Sequence, residues 1–285
     1  MRPRLSAILA FSLLGLLVLG PRPAAAEQLQ ALVPAYFYPV GNPYWSELDA
    51  AASQIGVTAI LNPNSGPGNS ADPNYVTAVN NLEAAGGKVL GYVYTSYGSR
   101  SLTAVEADVN AYVNFYHING IFFDEQSNSP AEVSYYNQLY NYVKSLNPAY
   151  EVIANPGTNT VPAYLTAPTA DTLVTFEDTA SAYGTYTPAS WTSTYSANHF
   201  ANIVYGEPTT AGMLNDLQLA QANNAGYVYV TDDTLPNPYD SLTSYWDQEV
   251  TAIADTATPE PSSLALLAAG ALALCVPRFK ALRPR

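Results

Sequence analysis

Cysteine is nearly absent: Cys275 stands alone among 285 residues. A disulfide scaffold is therefore excluded, and the fold must be held by its hydrophobic core. Histidine is almost as scarce. His117 and His199 lie far apart with no ligand spacing, so no metal site and no cofactor is expected, and each reads as a capping or surface histidine. Basic residues are few and badly distributed. Arg2, Arg4 and Arg22 sit at one end and Arg278, Lys280, Arg283 and Arg285 at the other, leaving Lys88, Arg100 and Lys144 between them. Residues 27–258 carry 22 acids against those three cations, a formal charge of −19. Such a surface disfavours nucleic acid and anionic membrane and would attract a cationic polymer; it also simply keeps a protein soluble. The G-x-G-x-x-G and Walker spacings are missing too, which removes the usual nucleotide signatures.

The two ends read as addresses. Arg2 and Arg4, the apolar run 5–20 and Ala24-Ala25-Ala26 have the layout of a secretory signal peptide over residues 1–26. The run is short for a membrane span and stops at a Pro- and Ala-rich stretch. At the other end, Thr258-Pro259-Glu260-Pro261 precedes an apolar run, 264–276, and then the basic tail. This order resembles the PEP-CTERM sorting signal of Gram-negative bacteria. The resemblance implies transient anchoring in the inner membrane, processing by an exosortase-type enzyme, and delivery to the cell envelope or extracellular matrix. A plain single-pass anchor is the alternative reading. The boundaries are then 1–26, a single domain over 27–254, and 255–285 as linker, sorting signal and short transmembrane segment. About 230 residues is enough for one well-formed core.

Strand-like and helix-like patterns alternate through the middle. Strands are expected at 32–38, 57–62, 88–94, 120–124, 151–155, 172–177, 201–205 and 226–231. Helices are expected at 43–55, 73–85, 103–115, 130–146, 210–224 and 240–254, with weak patterns near 161–165 and 188–197. Asp72-Pro73 and Ser129-Pro130 pair a capping side chain with proline at the first helical position, and Thr210 can cap another helix. Gly56, Gly87, Gly120 and Gly226 precede strands and are expected to end helices in the left-handed region. Eight such units are the count of a single-domain (β/α)8 TIM barrel of the α/β class. A doubly wound sheet is the rival, but Tyr38-Pro39-Val40-Gly41-Asn42-Pro43 after the first strand lacks its phosphate-loop spacing.

In a barrel, the C-terminal strand ends share one face. They would bring together Tyr36, Tyr38, Asn62, Tyr92, Tyr94, Asp124, Glu125, Asn155, Glu177, Asp178, Tyr205, Glu207, Thr231 and Asp232. Carboxylates, carboxamides and tyrosines suit a sugar: carboxyls work on a glycosidic bond, and phenol rings cover a pyranose face. Asp124 and Glu125 close the apolar strand Gly120-Ile121-Phe122-Phe123, and Glu177 closes Val174-Thr175-Phe176. A buried unpaired acid is costly, and three cations can pair few of them. The competing readings are helix caps and structural ion pairs. All 23 tyrosines lie within 27–258, and most must serve the core or surface. Tyr38, Tyr94, Tyr97 and Tyr205, at strand ends or in the loops after them, are the candidates for sugar contact. Asn62, Arg100 and Asn155 join them, Arg100 with the alternative of pairing a site acid.

Six stretches carry a family resemblance. They are Leu32-Val33-Pro34-Ala35-Tyr36-Phe37-Tyr38-Pro39, Asn62-Pro63-Asn64-Ser65-Gly66-Pro67-Gly68, Gly91-Tyr92-Val93-Tyr94-Thr95-Ser96-Tyr97-Gly98-Ser99-Arg100, Gly120-Ile121-Phe122-Phe123-Asp124-Glu125, Asn155-Pro156-Gly157 and Phe176-Glu177. In this order they resemble the spherulin-4 family, which overlaps glycoside hydrolase family 135. The resemblance implies a TIM barrel that cleaves, at internal positions, an exopolysaccharide containing α-1,4-linked N-acetylgalactosamine. It places that family's acidic pair on Asp124 and Glu125 and its further acid on Glu177. Asp124 is then expected as nucleophile or charge-stabilising carboxylate and Glu177 as acid/base, with retention or inversion left open. A polysaccharide substrate, a monomer and no nucleic-acid partner are expected. A non-catalytic carbohydrate-binding matrix or envelope protein is the alternative.

Overall fold

The computed structural model describes residues 28–256. The expected signal peptide and sorting tail lie outside the described residues. Eight strands run Gln30–Ala35 (β1), Val57–Leu61 (β2), Lys88–Tyr94 (β3), Gly120–Asp124 (β4), Glu151–Ala154 (β5), Thr172–Thr179 (β6), Phe200–Tyr205 (β7) and Tyr227–Thr231 (β8). They pair in parallel, in chain order, and close into a barrel. Between them lie Tyr44–Ala52 (α1), Pro73–Ala84 (α2), Leu102–Tyr116 (α3), Val133–Leu146 (α4), Ala163–Thr166 (α5), Ala180–Tyr183 (α6), Thr210–Ala222 (α7) and Trp246–Asp255 (α8). No helix among the described residues is long and apolar enough to cross a membrane.

Burial explains why the strands read as continuous apolar runs. Every residue of β2 and β8 is buried, because one face fills the barrel and the other meets the helices. Close approach explains the glycines. A Cβ on Gly91 in β3 would sit 2.4 Å from the ring of Tyr112 on α3, and one on Gly120 would sit 1.9 Å from the carbonyl of Glu151. Neither Gly120 nor Gly56, Gly87 or Gly226 has positive φ, so the expected left-handed helix ends are not at these positions. Gly86, one residue earlier, takes φ 99° after α2, and His117 takes φ 52° as the C-cap of α3.

Other expectations shift for local reasons. β1 ends at Ala35 rather than Tyr38, because the Tyr36 N–H turns to the carbonyl of Tyr239 in the 232–245 connection (3.2 Å). Thr209, not Thr210, caps α7 by accepting from Gly212 N at 3.0 Å. The 188–197 stretch holds a 3-10 turn, Ser190–Thr194, and the α-helical turn after β6 is α6. α8 begins at Trp246, six residues later than expected, and runs past 254; Thr256 Oγ1 then accepts Leu29 N (3.2 Å).

Most tyrosines are structural. Tyr112, Tyr116, Tyr136, Tyr164, Tyr183 and Tyr229 are buried to 1% exposure or less, and their hydroxyls are tied internally. Tyr112 donates to Leu61 O, Tyr116 to Pro67 O and Tyr164 to Ser129 O, fastening helices to the segments that follow the strands. Such a phenol fills core volume and also satisfies a carbonyl. Within the described residues all three cations are paired: Lys88 with Glu151 (2.7 Å), Arg100 with Asp108 (2.7 Å) and Lys144 with Asp171 (2.6 Å).

Candidate active site

Asp124 is the last residue of β4, set opposite Tyr94 of β3 in the ladder. Its two oxygens are both used. Oδ2 accepts from the Tyr92 hydroxyl at 2.7 Å and Oδ1 from Asn155 Nδ2 at 2.8 Å. Asn155 follows β5 directly, held by its own N–H on the carbonyl of Phe123 (2.8 Å). The same Nδ2 donates to Glu177 Oε2 at 2.5 Å, so one carboxamide bridges both acids. The second Glu177 oxygen accepts from the Tyr239 hydroxyl at 2.6 Å.

Glu177 reaches this point through an irregularity in β6. The register with β7 shifts between Val174 and Phe176, leaving Thr175 as an extra residue. A bulge of this kind re-aims the side chains beyond it. Past the bulge the Glu177 N–H binds the carbonyl of Gly157 (3.0 Å), and the strand continues to Thr179.

The two bonds through Asn155, laid end to end, cap the separation of the bonded oxygens at about 5.3 Å. Burial first, then the charge of Asp124, pushes the Glu177 carboxyl above the usual carboxylate range, while hydrogen bonds from Tyr239 and Asn155 pull it back. Tyr36 stands between the supporting phenols, edge-on to Tyr92 (5.6 Å) and to Tyr239 (5.5 Å). Burial and the nearby charge of Asp124 hold its hydroxyl protonated, well above the ordinary phenol range. The site is thus two carboxylates joined by one amide and backed by three tyrosines.

Of the residues singled out from sequence, Asp124, Asn155 and Glu177 come together. Glu125 follows Asp124 with φ 51°, and its carboxylate has no hydrogen bond to the described protein. Tyr205 lies on the Glu177 side and donates to Asp178 (3.3 Å). Tyr38 is 44% exposed at the rim, its hydroxyl engaged by Asp72 (3.1 Å) and Asn74 (2.7 Å). Tyr97 is 64% exposed. Asn62 Oδ1 accepts Gly66 N (2.9 Å), which shapes its own loop.

Arg100 pairs with no site acid. Its guanidinium lies 4.0 Å above the Tyr94 ring and donates to Tyr94 O (2.7 Å) and to Asp108 of α3. Its hydrogen bonds therefore brace Tyr94 and α3 rather than the carboxylates. Tyr239 was not visible from sequence. It sits in the irregular 232–245 connection, where no periodicity points to the mouth. Tyr36 and Tyr92 belong to the strand-end ring, although the tyrosines expected to contact sugar are others. Among the described residues no three His, Cys, Asp or Glu side chains gather in a metal-holding arrangement.

The Tyr239 bond carries a prediction. It favours ionised Glu177, so Tyr239→Phe should raise the Glu177 pKa further. If Glu177 acts as an acid, the alkaline limb of a pH–activity profile moves to higher pH. An unchanged limb would detach Tyr239 from that ionisation.

Fold and site together define a (β/α)8 barrel with a bridged carboxylate pair at its C-terminal mouth. The chain belongs to spherulation-specific family 4, whose profile matches residues 30–253. Spherulin-4 of Physarum polycephalum is 36% identical over 241 residues, covering 80% of this chain and 71% of that protein. Among solved structures, Aspergillus clavatus Sph3 in complex with GalNAc superposes with a TM-score of 0.71 at 25% identity, covering 81% of this chain and 99% of Sph3. A cyclic α-maltosyl-(1→6)-maltose hydrolase from Arthrobacter globiformis shares the fold, with a TM-score of 0.51 at 12% identity and 82% coverage of each chain.

Proposed function

We propose that this protein is an endo-acting glycoside hydrolase. Its substrate is an exopolysaccharide containing α-1,4-linked N-acetylgalactosamine, and it cleaves with retention of configuration. The observation that carries this is the Asn155-bridged pair. Carboxyls about 5–5.5 Å apart fit a retaining mechanism, whereas inversion needs roughly 6.5–9.5 Å to seat a water between acid and base. The two carboxylate oxygens that Asn155 bridges here lie no more than about 5.3 Å apart. The GalNAc bound to Sph3, a structural relative with the same fold, supports the choice of sugar.

Glu177, with its raised pKa, gives its proton to the glycosidic oxygen as the bond to the anomeric carbon breaks. Asp124, held by Tyr92 and Asn155, attacks that carbon and forms a glycosyl ester. Once deprotonated, Glu177 carries a charge that Asn155 and Tyr239 already address with N–H and O–H donors. It then takes a proton from the water that cleaves the ester. The leader and the PEP-CTERM-like tail support export to the envelope or matrix of a Gram-negative bacterium.

The test is incubation of the domain with galactosaminogalactan and related amino-sugar polymers, with NMR of the first-formed product. The expected result is internal cleavage with an α-anomer at the new reducing end. An initial β-anomer would overturn retention. Tight binding without cleavage of any such polymer would favour the carbohydrate-binding matrix protein instead.

A further inference from the structure

Consecutive residues of a strand point to opposite faces. Asp124 turns toward the barrel mouth, so a continued β4 would send Glu125 outward, toward α4. It does not continue. Glu125 takes φ 51°, a left-handed conformation that a non-glycine residue adopts only when its surroundings impose it. Glu125 is partly buried, and its charge adds, behind burial and Asp124, to what raises the Tyr92 hydroxyl above the ordinary phenol range.

What imposes the turn is a buried relay behind the acids. Thr95 follows β3 and is fully buried; Tyr136, on α4, is fully buried as well. Their hydroxyls lie 2.8 Å apart. Ser127 N–H donates to Tyr136 Oη at 2.8 Å, and Thr95 Oγ1 reaches the carbonyls of Glu125 at 2.8 Å and Asp124 at 3.0 Å. Tyr136 Oη also reaches the Glu125 carbonyl, at 3.4 Å, so either hydroxyl can donate to the other and the pair still addresses that carbonyl. The Thr95 N–H adds a bond to the carbonyl of Asp124 at 3.0 Å, and the Tyr97 N–H adds a second one to Glu125 O at 2.8 Å. To aim that N–H, Ser96, Tyr97 and Gly98 all take positive φ, 47°, 55° and 86°. Both lone pairs of the Glu125 carbonyl are thereby filled, and its peptide plane is locked.

We propose that Thr95 and Tyr136 are positioning residues: a buried hydroxyl pair that holds Glu125 in a left-handed turn, so that two consecutive carboxylates serve one barrel mouth. They touch no substrate and act through the backbone of Glu125; Thr95 also holds the Asp124 carbonyl, through its N–H and its hydroxyl, each at 3.0 Å. This rests on the hydrolase reading of the site, but the geometry can be tested apart from it.

Thr95→Val keeps the shape and removes the relay, Tyr136→Phe removes its other hydroxyl, and Thr95→Ser restores the donor. A misplacement of about 1 Å can cost about 10²-fold in rate, and a loss of that order in kcat, with KM little changed, is expected for Thr95→Val. Thr95→Ser should recover most of it. In a Glu125→Gln background, Tyr136→Phe should cost nothing more, because its hydroxyl meets only Thr95, the Ser127 N–H and the Glu125 carbonyl. A merely structural role would give an additive loss and no rescue, and that outcome overturns the proposal. If the wild-type protein hydrolyses nothing, the hydrolase reading falls, and crystal structures of Thr95→Val and Tyr136→Phe decide the positioning claim alone. Glu125 should leave the left-handed region in at least one of them; φ unchanged in both would overturn it.

Discussion

Glu177→Gln should lower hydrolysis of the natural polymer by about 10²–10⁴-fold, the usual contribution of a positioned general acid. Asp124→Asn should lose at least as much, since no attacking carboxylate remains. Both substitutions keep shape and the bridging geometry, so the fold should survive. The two losses should differ in kind. A synthetic glycoside with a low-pKa leaving group needs little protonation, so the first step of Glu177→Gln should recover on it, while Asp124→Asn should stay inactive. The pH profile adds a second check. Glu177 must hold its proton to act, and burial with Asp124 nearby raises its pKa, so wild-type activity extends to higher pH than an ordinary carboxyl would allow and falls above it. That alkaline limb should vanish from the residual rate of Glu177→Gln. Near wild-type turnover by either variant would remove that residue from the mechanism.

These two acids were legible because the sequence places each after an apolar run, where a strand must end. Eight runs alternating with helical patterns gave the barrel, and the barrel supplied the shared face. Glu177 needed more than its strand: the bulge at Thr175 re-aims β6, and nothing in Val174-Thr175-Phe176 announces an extra residue. Tyr239 was illegible for a different reason. Its position depends on a loop folded back across the mouth, and a loop has no period to read. The left-handed Glu125 was hidden because its conformation is imposed by Thr95, Tyr97 and Tyr136, which are distant in sequence or belong to another element. Even the glycines misled. Gly56, Gly87, Gly120 and Gly226 sit where helix ends are expected, but none has positive φ; Gly120 and Gly226 are required by backbone packed against them, while Gly56 and Gly87 lie against the side chains of Gln30 and Leu82. The rarity of Arg100 suggested a pairing with a site acid, yet scarcity of cations says nothing about which acid each one meets, and Arg100 meets Asp108.

A second large effect should appear in stability rather than turnover. Glu249, on the buried face of α8 with Trp246, Val250 and Ile253, is fully buried. It sits at one of the barrel's two shortest seams. β1 and β8 share only the registers Gln30↔Tyr227 and Ala31↔Val228, and just beyond them Glu249 Oε1 accepts the N–H of Val230 at 2.9 Å. Its other oxygen has no partner. The groups facing it are Asp232, Tyr229 and Tyr245, none of them a cation. Burial, reinforced by Asp232, pushes its pKa up to about 8 against the hydrogen bond from Val230. A folded-state pKa above the unfolded one means the folded state binds the proton more tightly. The associated stability is fully present below the ordinary glutamate value and is lost as pH rises toward about 8. At about 1.4 kcal/mol per pKa unit the full swing is on the order of a few kcal/mol. Asp216, on the buried face of α7, is also raised, but only to about 6, so its share is spent lower in the range. Denaturant midpoints of the wild-type protein should therefore fall between pH 6 and 8. Glu249→Gln, which cannot ionise, should flatten that window, with Glu177→Gln run alongside to remove the contribution of the active-site acid. A uniform loss at every pH would report only altered packing; it is the slope that tests the assignment, and a slope between pH 6 and 8 unchanged in Glu249→Gln would place the titrating group elsewhere.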